Sequence, residues 1–279
     1  MSASVGNFHT HCYLCDGEGL PVDYARVALE LGFSALGFTS HAPLPFPASW
    51  VMERADLARY AELVEEAASE APDLSVFKGL EIDYVRGQSG PDPALFPEIE
   101  LDFVIGSVHF VSDEAGELIA IDGSVDKFEY AIERFGGEPS EMVGAYFALL
   151  REMLTTYHPD ILGHLDLILK NDGGNRYFDP ETHWYRSEVI TTLDAIEANG
   201  CIVEVNTGAL ARGYEVLYPQ AWIVEKLCER EIPMMVNSDA HSPDKLDFAF
   251  DRAFGLLSAS GYKVHWMLTT DGWQAFPLE

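Results

Sequence analysis

Seven short apolar runs, rich in β-branched and aromatic residues and set apart by segments of helical spacing, constrain this chain more than any other feature. They are NFHTHC, ALGFTSH, VFKGLEIDY, DFVIGSVHF, DILGHLDLIL, CIVEVNTG and PMMVNSDAH. The segments between them carry helix punctuation. LPVDYARVALELGF ends on a glycine cap, EPSEMVGAYFALLREMLTTY offers Ser140 as N-cap, RSEVITTLDAIEANG stops at Gly200, and YPQAWIVEKLCERE puts Pro219 near a helix start. Strands that alternate with helices pair in parallel, so the expected class is α/β. A chain of 279 residues, 48% of them hydrophobic, can bury a large core as one barrel or as two smaller domains. No internal repeat, low-complexity tract or linker divides it, so residues 1–279 read as one domain. Two stretches, 86–100 and 112–140, interrupt the alternation and are long enough to form rims or lids over a site.

The polar residues of these runs lie at their ends. In an extended strand residues i and i+2 face one side, so His9 and His11 point together while Thr10 points away, a claw with two metal ligands. The same spacing recurs as Glu81 with Asp83, His164 with Asp166, and Asp239 with His241. His41 and His109 finish two more runs, and Asp16 follows the first by a short loop. The carboxyl ends of barrel strands open on one mouth, where active sites sit, so the pattern gathers seven strands around one centre. Imidazoles mixed with carboxylates suit zinc, manganese or iron. The remaining histidines, His158, His183 and His265, read as turn, helix start and ordinary strand packing. Cys12 and Cys15 form a C-x-x-C without a partner pair, which reads as packing.

Charge narrows the function. Asp and Glu number 46 against 17 Lys and Arg, a formal charge of -29, and such a field repels nucleic acids and anionic membranes. No apolar run reaches the roughly 20 residues of a membrane span. The four cysteines are too few for a disulfide framework, and the first residues do not resemble a secretory signal. The expectation is a soluble cytoplasmic protein with reduced thiols that acts on a small molecule, its oligomeric state left open.

FHTHCYLCDG, GFTSHAP, GLEIDY, IGSVHF, GHLDL, NTG and NSDAH, in this order, resemble the polymerase and histidinol phosphatase (PHP) family, most closely its histidinol-phosphate phosphatase branch. The resemblance spans nearly the whole chain. It implies a distorted, TIM-like seven-stranded β/α barrel with two to three divalent ions. One would sit on His9, His11, Glu81 and Asp239; Glu81 would bridge to a second, completed by His109 and His164; Asp16, His41 and His241 would hold a third. The implied reaction is hydrolysis of a small phosphate monoester, L-histidinol phosphate foremost, by a metal-bridged hydroxide attacking phosphorus. Glu81, Asp239 and His241 are the catalytic candidates, Asp239 lying beside the nucleophile to take its proton. Asp83, Asp166 and Asn206 are expected to orient ligands. Where that branch commonly has phosphate-binding arginines stand Leu169 and Ala211, which leaves Lys170, Arg212 and Arg176 as the candidate substrate-binding cations. A PHP-type phosphodiesterase or exonuclease acting on a small nucleotide is the rival reading. An amidohydrolase, whose barrel also begins His-x-His, fits less well because Glu81 fills the place of its bridging carboxylated lysine.

Overall fold

Strands in chain order are β1 (Gly6–Asn7), β2 (Ala35–Phe38), β3 (Ser75–Asp83), β4 (Phe103–Ser107), a hairpin of β5 (Phe110–Ser112) and β6 (Leu118–Ala120), then β7 (Ile161–Leu162), β8 (Ile202–Asn206), β9 (Met234–Asn237) and a last hairpin of β10 (Val264–Thr269) and β11 (Gly272–Pro277). The structure, a computed structural model, describes residues 5–278. The helices are α1 (Pro21–Glu30), α2 (Leu57–Glu70), α3 (Val125–Arg134), α4 (Pro139–Thr156), α5 (His183–Asn199), the short α6 (Gly208–Ala211), α7 (Ala221–Glu229) and α8 (Phe250–Ala259).

The seven apolar runs form one parallel sheet in the order β1-β2-β3-β4-β7-β8-β9. Its two edges meet only at the carboxyl end, where His11 N–H donates to the Ala240 carbonyl at 2.9 Å and Ala240 N–H to the His9 carbonyl at 3.1 Å. Lower down, the Asn237 side chain accepts from Phe8 N–H at 2.8 Å in place of a backbone carbonyl. The result is a nearly closed, distorted β/α barrel. β1 and β7 are only two residues long, and the His-x-His segment runs beyond the ladder rather than within it. Both histidines nonetheless turn inward.

Inward positions below the mouth are apolar. Phe8, Phe77, Phe103, Ile105, Ile161, Ile202 and Met235 fill the barrel, and Met267 and Leu268 of the last hairpin pack against them and seal the lower end. The larger core lies between the outer sheet face and the helices. α1 begins with Pro21 and α5 ends on Gly200, whose φ of 84° is the left-handed cap that glycine adopts without strain. Ser140 does not cap α4. Pro139 occupies its first turn and Glu138 its N-cap, because proline lacks an N–H that would otherwise go unsatisfied there. Among the described residues no helix is long and apolar enough to cross a membrane.

Candidate metal centre

Glu81 faces inward on β3, beside Ile105 of β4, and collects histidines from four directions. Its Oε2 lies 2.9 Å from His41 Nδ1, 3.2 Å from His9 Nε2 and 3.6 Å from His11 Nε2. Its Oε1 lies 3.0 Å from His164 Nε2 and 3.7 Å from His109 Nε2, and accepts from Ser107 Oγ at 2.7 Å. Asp239 Oδ1 adds contacts of 3.1 Å to His11 Nε2 and 3.7 Å to His9 Nε2. Asp16 Oδ1 is 3.3 Å from His241 Nε2 and 3.7 Å from His41 Nε2. All nine ligand-type residues singled out in the sequence therefore meet in one cluster. Three groups in it are tight enough to hold a cation: His11, Asp16, His41 and His241; His9, His11 and Asp239; and His41, Glu81 and His109. These cut across the sets implied by resemblance at His11 and His41, which each approach two of them.

Asp239 reaches this position at a cost. Its φ of 50° is left-handed, a conformation worth about 1–3 kcal/mol of strain in a residue other than glycine. Gly208 makes room for it, since a Cβ there would lie 2.8 Å from Asp239 Cβ.

Among the described residues, His9 Nε2, His11 Nε2, His41 Nδ1 and Glu81 Oε2 are buried and have no hydrogen-bond partner of good geometry, facing mainly one another. Buried polar atoms are rarely left so, and four lone-pair donors converging on one point are the donor set that a divalent cation satisfies. The residues fit a metal.

The ring nitrogens turned away from the centre fix the tautomers. Glu204 of β8 lies 3.0 Å from His9 Nδ1; a carboxylate only accepts here, so Nδ1 carries the proton and Nε2 is free to ligate. Asp83 does the same for His109, with Oδ1 2.6 Å from Nδ1. Behind His11, among the described residues, stands the Cys15 thiol, 3.7 Å from Nδ1 and pushed up to about 12 by burial. Asn206 ties the centre together, donating to Glu204 at 2.7 Å and to Asp239 Oδ2 at 3.4 Å. Asp166 differs from expectation. Burial pushes it up to about 7, and it accepts Gln220 N–H at 3.0 Å instead of orienting a histidine.

Burial alone would raise Glu81 and Asp239, but the surrounding histidines, joined at Asp239 by Arg212, outweigh it and hold both carboxylates ionised. Burial likewise opposes the charged form of His109, yet Asp83 and Glu81 hold it up to about 10. His11 is the exception, lowered by burial and by its neighbours His241 and His41.

Above the cluster opens a cavity of about 270 Å³. Lys170 and Arg212 both line it, while Leu169 is buried in the core and α6 ends at Ala211, so the cations one residue on face the opening. Arg212 Nη2 lies 2.9 Å from His241, and Lys170 Nζ donates to the Asp122 carbonyl at 2.7 Å. Arg176 does not join them: it sits at the surface on Glu129 at 2.8 Å, because its loop turns outward after Lys170. Of the two long interruptions, 112–140 reaches the cavity through Ala120, Asp122, Gly123 and Lys127, and 86–100 does not. Glu204, Asp122 and Lys127 were not singled out in the sequence. Glu204 had a signal, an ionisable residue at the centre of the apolar run CIVEVNTG, where a buried charge needs a partner.

Three comparisons bear on this centre. The profile of the PHP domain matches residues 7–208. The chain is 30% identical to the probable histidinol-phosphatase of Deinococcus radiodurans over 87% of its own length and 88% of that protein, and 29% identical to the histidinol-phosphatase of Bacillus subtilis over 90% and 98%. Its fold superposes on histidinol phosphate phosphatase of Lactococcus lactis, solved with zinc, L-histidinol and phosphate, with a TM-score of 0.69, 16% identity, and coverage of 96% of this chain and 98% of that one.

Proposed function

The chain belongs to the PHP-domain family, and from that premise we propose that it is a metal-dependent phosphatase that hydrolyses L-histidinol phosphate, or a closely similar small monoester, to the alcohol and phosphate. The observation that carries the reading is the set of unpartnered nitrogen and oxygen atoms around Glu81 Oε2. Two relatives named for histidinol phosphate hydrolysis align over most of the chain and support the choice of ester. The zinc in a neighbour of the same fold agrees with the donor set found here.

In this reading His9, His11, Glu81 and Asp239 would hold one divalent ion, Glu81, His109 and His164 a second, and Asp16, His41 and His241 a third, the metals being zinc, manganese or iron. When bound, such ions supply Lewis-acid charge for phosphoryl oxygens and lower the pKa of water toward neutrality. The residues do the rest. Glu204 and Asp83 hold His9 and His109 with Nε2 toward the centre. Asp239, kept ionised by His9 and Arg212, is the proton acceptor beside the nucleophile. Its Oδ2 is held 3.4 Å from Asn206, which fixes the carboxylate plane. His241 lies against both Asp239 and Arg212 and would help to hold the third ion, while the leaving alkoxide takes its proton from water or a protonated group of the ligand shell. Arg212, 3.7 Å from Asp239, and Lys170 supply positive charge to a phosphate in an otherwise acidic protein. Six positive charges from three divalent ions would exceed the three ligand carboxylates, so the site attracts a dianion despite the surface.

The test is a phosphate-release screen of metal-loaded protein over about a hundred phosphoesters, histidinol phosphate and short dinucleotides included. The proposal expects histidinol phosphate among the best substrates with activity abolished by chelation. Preference for a diester would transfer the assignment to a phosphodiesterase.

A further inference from the structure

Lys127 is a cation of the active-site cavity that no motif announces. It lies in the first turn of α3, at the end of the β5–β6 hairpin segment that forms one rim of the mouth, and it lines the cavity together with His109, His164, Lys170 and Arg212. The other two cations there each have a carboxylate neighbour that shares their charge: Lys170 Nζ is 3.4 Å from Asp122 Oδ2 and Arg212 Nη1 is 3.7 Å from Asp239 Oδ2. Among the described residues, no carboxylate lies within ion-pair distance of Lys127. Lys127 is exposed, and of the basic side chains that have no ion pair among the described residues, Lys127, Arg252 and Lys263, it is the one that lines the cavity. Its stem is also placed. A Cβ on Gly123 would lie 3.0 Å from Lys127 Cδ, so the aliphatic part of the side chain lies over a residue that itself lines the cavity.

We propose that Lys127 binds the phosphoryl group of the substrate, supplying from the rim the charge that Arg176 does not bring. An ammonium is a compact point charge on a flexible stem, suited to a phosphate dianion and repelled by an aminated leaving group such as histidinol. The hairpin and the first turn of α3 thereby act as the phosphate-side wall of the pocket.

This inference rests on the phosphatase reading, and its test separates the two. Competitive inhibition by inorganic phosphate and by L-histidinol is measured on metal-loaded wild type, Lys127→Ala, Lys127→Arg and Gly123→Ala, with metal content and thermal unfolding recorded for each. Lys127→Ala is expected to weaken inorganic phosphate, and to raise KM for histidinol phosphate, about tenfold, with histidinol inhibition within twofold and metal content unchanged. Lys127→Arg should recover most of the loss. Gly123→Ala should weaken phosphate in the same direction by displacing the stem, and should add nothing when combined with Lys127→Ala. Unchanged phosphate inhibition in Lys127→Ala overturns the assignment. Wild-type protein that binds no phosphate and hydrolyses no monoester overturns the function instead.

Discussion

Exchanging Glu204 for glutamine removes one oxygen and one charge from behind the metal cluster without touching an atom that faces it. Four donors converge on the Glu204 carboxylate. His9 Nδ1 lies at 3.0 Å, His164 N–H at 2.9 Å, Asn206 Nδ2 at 2.7 Å and Asn237 Nδ2 at 2.8 Å, and the group is fully buried. A carboxylate has about four lone-pair sites, so all are used; a glutamine amide keeps about two and turns an NH2 toward the other donors. Two buried donors left unsatisfied at roughly 1–3 kcal/mol each predict a loss of about 2–6 kcal/mol of stability. His9, no longer held with Nδ1 protonated, should also bind metal about 10–100-fold more weakly, the usual cost of losing an orienting carboxylate. Competition of the purified variant against a chromophoric chelator gives the affinity, and thermal unfolding of the metal-free protein gives the stability. Metal affinity within twofold of wild type, with unfolding unchanged, would refute the claim that Glu204 sets the His9 tautomer.

Three further outcomes follow from the same geometry. Glu81→Gln should remove metal from more than one position, whereas His109→Ala should chiefly deplete one; elemental analysis showing full metal in both variants contradicts a bridging Glu81. Arg212→Ala should lower kcat/KM about tenfold, the lower end of what a hydrogen bond to a charged group contributes, because the side chain lines the cavity but is 37% exposed. Arg176→Ala, on the surface with Glu129, should leave kcat/KM within twofold, and equal losses in both would undo the placement of the cavity cations. His9 is held well above the ordinary histidine range and His109 up to about 10, so in the metal-free protein at pH 7 both carry a proton that ligation must displace. A raised pKa keeps the proton on below it, so metal affinity should climb as pH rises from 6 to 8. Calorimetry in buffers of different ionisation enthalpy should count at least about two protons released per protein at pH 7; a count of zero is the contrary result.

How much of this could be read in advance depended on where the informative residues sit. Ligand-type residues at the ends of apolar runs are visible because ionisable groups there interrupt a buried pattern, and His9, His11, His41, Glu81, His109, His164, Asp239 and His241 all stand out that way. The strands were less clear. β1 shrinks to two residues because the Asn237 side chain replaces the ladder where the barrel closes, and no periodicity encodes that; β7, between β4 and β8, is equally short. Ser140 had the chemistry of an N-cap, but its neighbour Pro139 starts the helix one residue earlier. Asp166 sits two residues beyond His164, the spacing that elsewhere puts two ligands side by side, yet the chain leaves the strand after Leu162 and the carboxylate turns to Gln220. Lys127 and Asp122 reach the cavity through tertiary placement of the rim alone, which local sequence does not carry.

The central claim is that the histidines and carboxylates at the mouth of the barrel are metal ligands organised by Glu81. Anomalous diffraction from crystals of metal-loaded protein, recorded on either side of the metal absorption edge, tests it directly. At least two peaks are expected, with the two Glu81 oxygens each within about 2.0–2.2 Å of a different ion. A single ion that does not touch Glu81, or no peak in the cluster after metal-replete growth, would contradict it.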